Sequence, residues 1–193
     1  KVGRLLKRAV EEGIVEIRVR HHPGATQALE QALIQRFGIE RAIISLDDKD
    51  LDSQRDLLAG LVASHLDRIL IDGSLVAVGM GRNVSAVSHH AVSTTQRRCS
   101  FVCAIGGSYR GGEAMNADHI CRRLALRFGG DSETLYAPAV INEEELRQQL
   151  LANDTVRQSL SKAQRSDIDL AVGGDILEDR NMEIAIATCR ERV

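Results

Sequence analysis

The sequence predicts an open, mostly parallel α/β sheet with helices on both faces. Three observations carry that expectation. Short apolar runs of strand length alternate with segments of helical periodicity, as parallel strands joined by helical crossovers require. The runs are continuous rather than alternating, which marks strands buried on both faces. Three of them end in glycine, the residue that lets a strand turn tightly into the next element. Together these features describe a Rossmann-like sheet.

The elements are taken in chain order. Lys1 to Glu12 places Val2, Leu5, Leu6, Ala9 and Val10 at helical spacing, with Arg4, Lys7 and Arg8 between them, and Gly13 ends the helix. Ile14 to Val19 alternates apolar and charged residues, the pattern of a half-exposed strand. After the turn His21-His22-Pro23-Gly24, Thr26 to Phe37 reads as a helix closed by Gly38, and Ala42 to Leu46 as a first buried strand. Ser53 and Asp56 form a capping-box-like pair that opens a helix reaching Leu70. Leu75 to Val78 is the second strand, followed by a short helix from Val84 to His90. Phe101 to Ile105 is the third, followed by a helix from Ala114 to Phe128. Thr134 to Ala137 is a weaker fourth run. Helices over Glu143–Leu151 and Val156–Ala163 precede the fifth, Ile168 to Val172.

Composition narrows the function. The chain has 193 residues, of which 44% are hydrophobic and 27% charged, enough for a packed core. Its net charge of −2 argues against binding nucleic acid through bulk charge, so any such contact must be local. Aromatic residues make up 3%, with no tryptophan, which leaves little for base-stacking platforms. Among 25 basic residues, only Lys1, Lys7, Lys49 and Lys162 are lysine, which favours planar recognition of phosphate or carboxylate over lysine chemistry. Cys99, Cys103, Cys121 and Cys189 show no metal-ligand spacing, and each reads as a small buried hydrophobe. No apolar run reaches the roughly 18–20 residues of a membrane span, so a cytoplasmic protein without cofactor or metal is expected.

In an open α/β sheet, ligands bind beyond the carboxyl ends of the strands. The turn after the second strand is Gly79-Met80-Gly81-Arg82-Asn83-Val84-Ser85. Gly79 and Gly81 permit close backbone approach, Asn83 can cap the helix, and Arg82 adds a charge-assisted donor, so the turn suits phosphate as well as a plain strand-to-helix connection. The third strand ends in Gly106-Gly107, with Asn116 near the next helix start, and the fifth in Gly173-Gly174-Asp175. Asp175 can accept from a sugar hydroxyl or cap its own turn. Departure of the first turn from the dinucleotide fingerprint favours a small anionic ligand. Ser85, Ser88, His89 and His90 share one short helix and so form no nucleophile-base-orienter arrangement. Glu143-Glu144-Glu145 suits the positive end of a helix.

Gly13-Ile14-Val15-Glu16-Ile17, Leu29-Glu30-Gln31-Ala32-Leu33 ahead of Phe37-Gly38, Gly81 to Val87, Gly106-Gly107, Asn116-Ala117 and Ala137-Pro138-Ala139 occur in an order and spacing that resemble the SorC/DeoR-type bacterial sugar-responsive transcriptional regulators. The resemblance runs from residue 1 to about Met182. It implies an effector-binding domain similar in fold to glucosamine-6-phosphate deaminase and ribose-5-phosphate isomerase. It also implies a sugar, sugar-phosphate or polyol effector, operator DNA as partner, and a homo-oligomer, dimer or tetramer, without enzymatic activity. A sugar-phosphate isomerase or deaminase of the same fold is the alternative. On this resemblance residues 1–20 are the end of a helix-turn-helix module and its linker strand, with Lys1, Arg4, Lys7 and Arg8 facing DNA. Residues 21–193 are then the effector domain, expected to be incomplete at its C-terminal end. Gly81, Arg82, Asn83 and Ser85 match the family's phosphate turn, Gly106, Gly107 and Asn116 the sugar loop, and Gly174 and Asp175 a further pocket loop. The family usually has threonine where Asn83 stands and glycine where Val172 stands, and Glu183 to Val193 departs from its pattern.

Overall fold

The computed structural model describes residues 26–48, 50–93, 95–109, 112–174 and 183–189, together with Val2, Gly3, Leu5 and Arg8. Contacts divide the chain into two compact units, residues 1–46 and 47–193.

In the first unit, helix α1 spans Gln27–Phe37 and ends on Gly38 in the left-handed conformation (φ 63°), whose amide donates to Ile34 O at 2.9 Å. No residue of α1 is buried. The strand expected at Ala42 to Leu46 is not formed: residues 41–48 carry no regular structure. The Ile44 amide donates instead to Glu30 Oε1 at 3.0 Å, and the Thr26 hydroxyl donates to the same oxygen at 3.0 Å. A side chain of the preceding helix thus takes a donor that a sheet would have used. The strand expected at Ile14 to Val19 lies outside the described residues.

The second unit holds the sheet. Helix α2 covers Leu51–Ile69, β1 Leu75–Val78, α3 Arg82–His90, β2 Cys99–Cys103, α4 Ala117–Phe128 and β3 Gly130–Glu133. Helices α5 (Glu144–Ala152) and α6 (Asp154–Gln164) then lead to β4 (Ile168–Gly174) and β5 (Glu183–Cys189). The strand order is β3-β2-β1-β4-β5. The pairs β1 with β2, β1 with β4 and β2 with β3 are parallel, and β5 runs antiparallel to β4 from Ile168 opposite Cys189 to Gly174 opposite Glu183.

Alternation along the strands divides the core. Val76, Val78, Phe101 and Cys103 pack with Leu66 of α2, Val84 and Val87 of α3, and Ile120, Leu124 and Phe128 of α4. Ala77 and Val102, one residue out of phase, face the other way and meet Ala163 of α6. Helices therefore cover both faces, as the buried runs require.

Three further expectations are corrected. The cap of α2 is Asp50, not Ser53: its carboxylate accepts from the Ser53 amide at 2.8 Å, which places Ser53 inside the helix. The strand expected at Thr134 to Ala137 lies earlier, at Gly130–Glu133, and is polar because it is an edge strand with one neighbour. Its start is forced by a close approach, since a Cβ on Gly130 (φ 100°) would stand 1.9 Å from Cys99 O. The third is β5, an antiparallel edge strand beside β4 that adds to the strand-length runs read from the sequence.

Asp67, in the last turn of α2, meets two residues that follow α3: its Oδ1 accepts from the Ser93 hydroxyl at 2.6 Å and from Arg97 Nη1 at 2.8 Å, while Arg97 Nη2 donates to Asp67 O at 2.8 Å. The Ser93 hydrogen bond, and then Arg97, hold the Asp67 carboxyl below its ordinary value of 3.8 despite partial burial. A depressed carboxylate stabilises the fold above its unfolded pKa and loses that contribution as pH falls through the folded value. Asp67→Asn is expected to lower stability at neutral pH and to flatten its decline as pH falls below about 4. Urea titrations at stepped pH measure this, and an acid limb as steep as in the unchanged protein contradicts it.

Candidate functional site

A cavity of about 290 Å³ opens at the carboxyl end of β2. It is lined by Cys103 and the Ile105-Gly106-Gly107 loop on one side, by Asn116 to His119 at the start of α4, and by Thr134 to Ala137 opposite. Its volume sits at the lower end of small-molecule pockets, ~300–1,000 Å³, and suits one small molecule better than a dinucleotide.

Local chemistry shapes each wall. The Gly107 amide donates to Ala137 O at 2.9 Å, and the Ala139 amide returns a bond to Gly107 O at 2.8 Å. The two loops lie so close that a Cβ on Gly106 would stand 2.1 Å from Ala137 O. Asn116 precedes α4 and ties the glycine loop to it: Oδ1 accepts from the Ser108 amide at 2.7 Å, and Nδ2 donates to Gly112 O at 3.2 Å. On the first turn of α4, Asp118 pairs with Arg122, and His119 Nε2 lies 2.9 Å from Glu113 Oε1 and 3.7 Å from Asp118 Oδ2. The lining thus offers amide, carboxylate, imidazole and hydroxyl groups, the mixture that recognises hydroxyl-rich ligands by exchange of hydrogen bonds.

The structure brings Gly106, Gly107 and Asn116 together in this cavity. It places Gly79, Gly81, Arg82, Asn83 and Ser85 one strand away, at the point where strand order reverses between β1 and β4. There the Gly79 amide donates to Leu170 O at 2.8 Å. Residues 113–116 join the two regions: the Gly81 amide donates to Met115 O at 3.0 Å and the Ser85 hydroxyl to Ala114 O at 3.0 Å. Asn83 is buried and does not cap α3. The cap position is Gly81 (φ 119°), and Asn83 Oδ1 accepts from Arg55 Nε at 3.1 Å. Arg82 is exposed at the mouth of this turn. Asp175, Lys1, Arg4 and Lys7 lie outside the described residues, and Arg8 is exposed in the first unit.

Sequence reasoning missed Arg55, Cys103, Asp118, His119 and the Thr134 to Ala137 wall. The adjacency of Asp118 and His119 to Asn116 was the available signal. Among the described residues no group of three metal-ligating side chains is assembled, and no described helix is long and apolar enough to cross a membrane.

An open α/β sheet with a cavity beyond its strand ends, lined by both polar and apolar residues, is the arrangement in which folds of this class hold a small ligand. Residues 21–187 match the family described as "Putative sugar-binding domain", and the chain belongs to that family. It is 48% identical to the "Putative Sugar-Binding Domain of Transcriptional Repressor" from Vibrio fischeri, with a TM-score of 0.68 over 73% of this chain and 54% of that one. It is also similar to the sorbitol operon regulator of Klebsiella pneumoniae, at 26% identity over 183 residues, covering 92% of this chain and 58% of that protein. The crystal structure of full-length SorC from the same organism superposes with a TM-score of 0.74 at 26% identity, over 83% of this chain and 53% of that one. The chain spans little more than half the length of these relatives.

Proposed function

We propose that this chain is the effector-binding part of a sugar-responsive transcriptional regulator that acts from the cytoplasm. The observation that carries the reading is the cavity at the end of β2, polar on its α4 side and sized for one small molecule. A sugar or polyol occupies it, with Gly106, Gly107 and Asn116 against its hydroxyl-bearing carbons. Where the effector is phosphorylated, Gly79, Gly81, Arg82, Asn83 and Ser85 receive the phosphate at the switch point, and Asp175 is a further candidate to accept from a sugar hydroxyl. Residues 1–20, with Lys1, Arg4, Lys7 and Arg8, continue a DNA-binding module. Occupancy then shifts a homo-oligomer, dimer or tetramer, between states of different operator affinity, which requires that the effector bind those states unequally.

The isomerase or deaminase alternative has less support. Lys162, the one lysine of the second half, donates from Nζ to Glu133 Oε2 at 2.8 Å and lines no part of the cavity. Binding without turnover is the expected result. Thermal unfolding measured against sugar phosphates, free sugars and polyols tests the reading. An effector at about 100 times its Kd should add about 2.7 kcal/mol. Arg82→Ala should weaken a phosphorylated effector and leave a neutral one unchanged. A panel without any stabilising compound contradicts effector binding, and turnover of a sugar phosphate establishes the alternative.

A further inference from the structure

We propose that Cys103 and Cys121 form an oxidant-modification site in the wall of the cavity, which a small hydroperoxide converts to an intramolecular disulfide. This goes beyond effector binding and holds whatever the cavity receives. Cys103 ends β2 and lines the cavity, and Cys121 lies on α4, packed directly behind it. Their sulfurs are 3.8 Å apart and share a hydrogen bond in which either can donate. A disulfide requires about 2.05 Å between sulfurs, so the pair needs a short closure between two elements already in contact.

The surroundings assign different roles to the two thiols. The hydrogen bond between the two sulfurs outweighs burial at Cys103 and holds its thiol below the ordinary value of 9.0. The same bond, followed by burial, pushes Cys121 up. Cys103 lines the cavity while Cys121 is wholly buried behind it, so Cys103 is the sulfur that meets the hydroperoxide first, its thiolate being the nucleophile. Its thiolate attacks one oxygen of the hydroperoxide, the O–O bond breaks, and the leaving alkoxide or hydroxide takes up a proton, which leaves a sulfenic acid at Cys103. The Cys121 sulfur attacks that sulfenic sulfur, displacing hydroxide, which combines with the Cys121 proton as water. Two thiols are oxidised and one peroxide is reduced. The new bond fixes the spacing of β2 and α4, the elements that carry Cys103 and the Asn116 to His119 wall. Cys99 is the internal comparison: burial pushes its thiol up, and its sulfur faces Ile71 O at 3.6 Å.

The experiment treats the folded chain with millimolar hydrogen peroxide, blocks the remaining thiols and maps peptides by mass spectrometry without reduction. The expected result is a cross-linked peptide joining Cys103 to Cys121, two hydrogens lighter than its components and released by dithiothreitol, with Cys99 still free. In Cys121→Ser the expected product is a sulfenic acid at Cys103 that dimedone traps. Two results overturn the proposal: Cys103 and Cys121 both remaining reduced while the urea-unfolded chain oxidises, or Cys103 pairing only with a thiol other than Cys121. The mapping of the unchanged protein decides the matter even where the variant fails to fold.

Discussion

Gly106→Ala is expected to destabilise the sheet unit by about 2–3 kcal/mol and to abolish binding in the cavity. The added methyl would stand 2.1 Å from Ala137 O and 2.6 and 2.7 Å from Pro138 C and O. These are backbone atoms, so no flexible side chain can yield. The segment is also held in place by the two hydrogen bonds that Gly107 exchanges with residues 137 and 139. Relief requires the two loops to separate, and they are opposite walls of the same cavity. Gly107→Ala is the control, since its Cβ would meet nothing within 4 Å, and its stability should stay within about 0.5 kcal/mol of the unchanged protein. Urea midpoints of the two variants, together with thermal-shift binding, measure the contrast. Equal stabilities would show that the close approach at Gly106 does not exist.

Phe101→Ala is expected to cost about 3–5 kcal/mol, a large part of the roughly 5–15 kcal/mol that holds a typical domain folded. Phe101 is wholly buried on β2 between β1 and β3, and its ring stacks on Phe128 of α4 with centroids 6.3 Å apart. Its removal leaves a void under the helix that supplies Asn116 to His119, so loss of ligand binding should accompany loss of stability. Leu126→Ala on the same helix, where the side chain is 82% exposed, should change stability by about 0.5 kcal/mol or less. Equal costs at the two positions would contradict the placement of the core.

Legibility in the sequence follows burial. Leu75 to Val78 is readable as a strand because a central parallel strand covered on both faces becomes apolar throughout, and Ile168 to Val172 because it keeps Ile168 and Leu170 buried beside β1. Gly130 to Glu133 is not readable, because an edge strand has no need of that composition. Leu135 carries the apolar signal instead, since it is buried beneath the cavity. The antiparallel return of β5 breaks the rhythm of strand and crossover helix. Residues 175–182 are too few for a parallel crossover, which takes about a dozen or more residues. Within the site, Gly106 and Asn116 are legible because close loop packing and a helix start demand those residue types. Cys103, Asp118 and His119 are not, because a strand-end cysteine and charged residues in a first helical turn are ordinary wherever they occur. Asn83 is suggestive in sequence as a cap, but the structure gives its oxygen to Arg55.

The central claim is that the cavity at the end of β2 receives a small hydroxyl-rich molecule. Its most direct test titrates sugars, polyols and sugar phosphates into isotope-labelled protein and follows the backbone amide resonances. Saturable shifts are expected at Gly107, Asn116 and His119 for at least one compound, with further shifts at Gly81 to Ser85 when that compound carries phosphate. Saturable binding that leaves Gly107, Asn116 and His119 unmoved would contradict it.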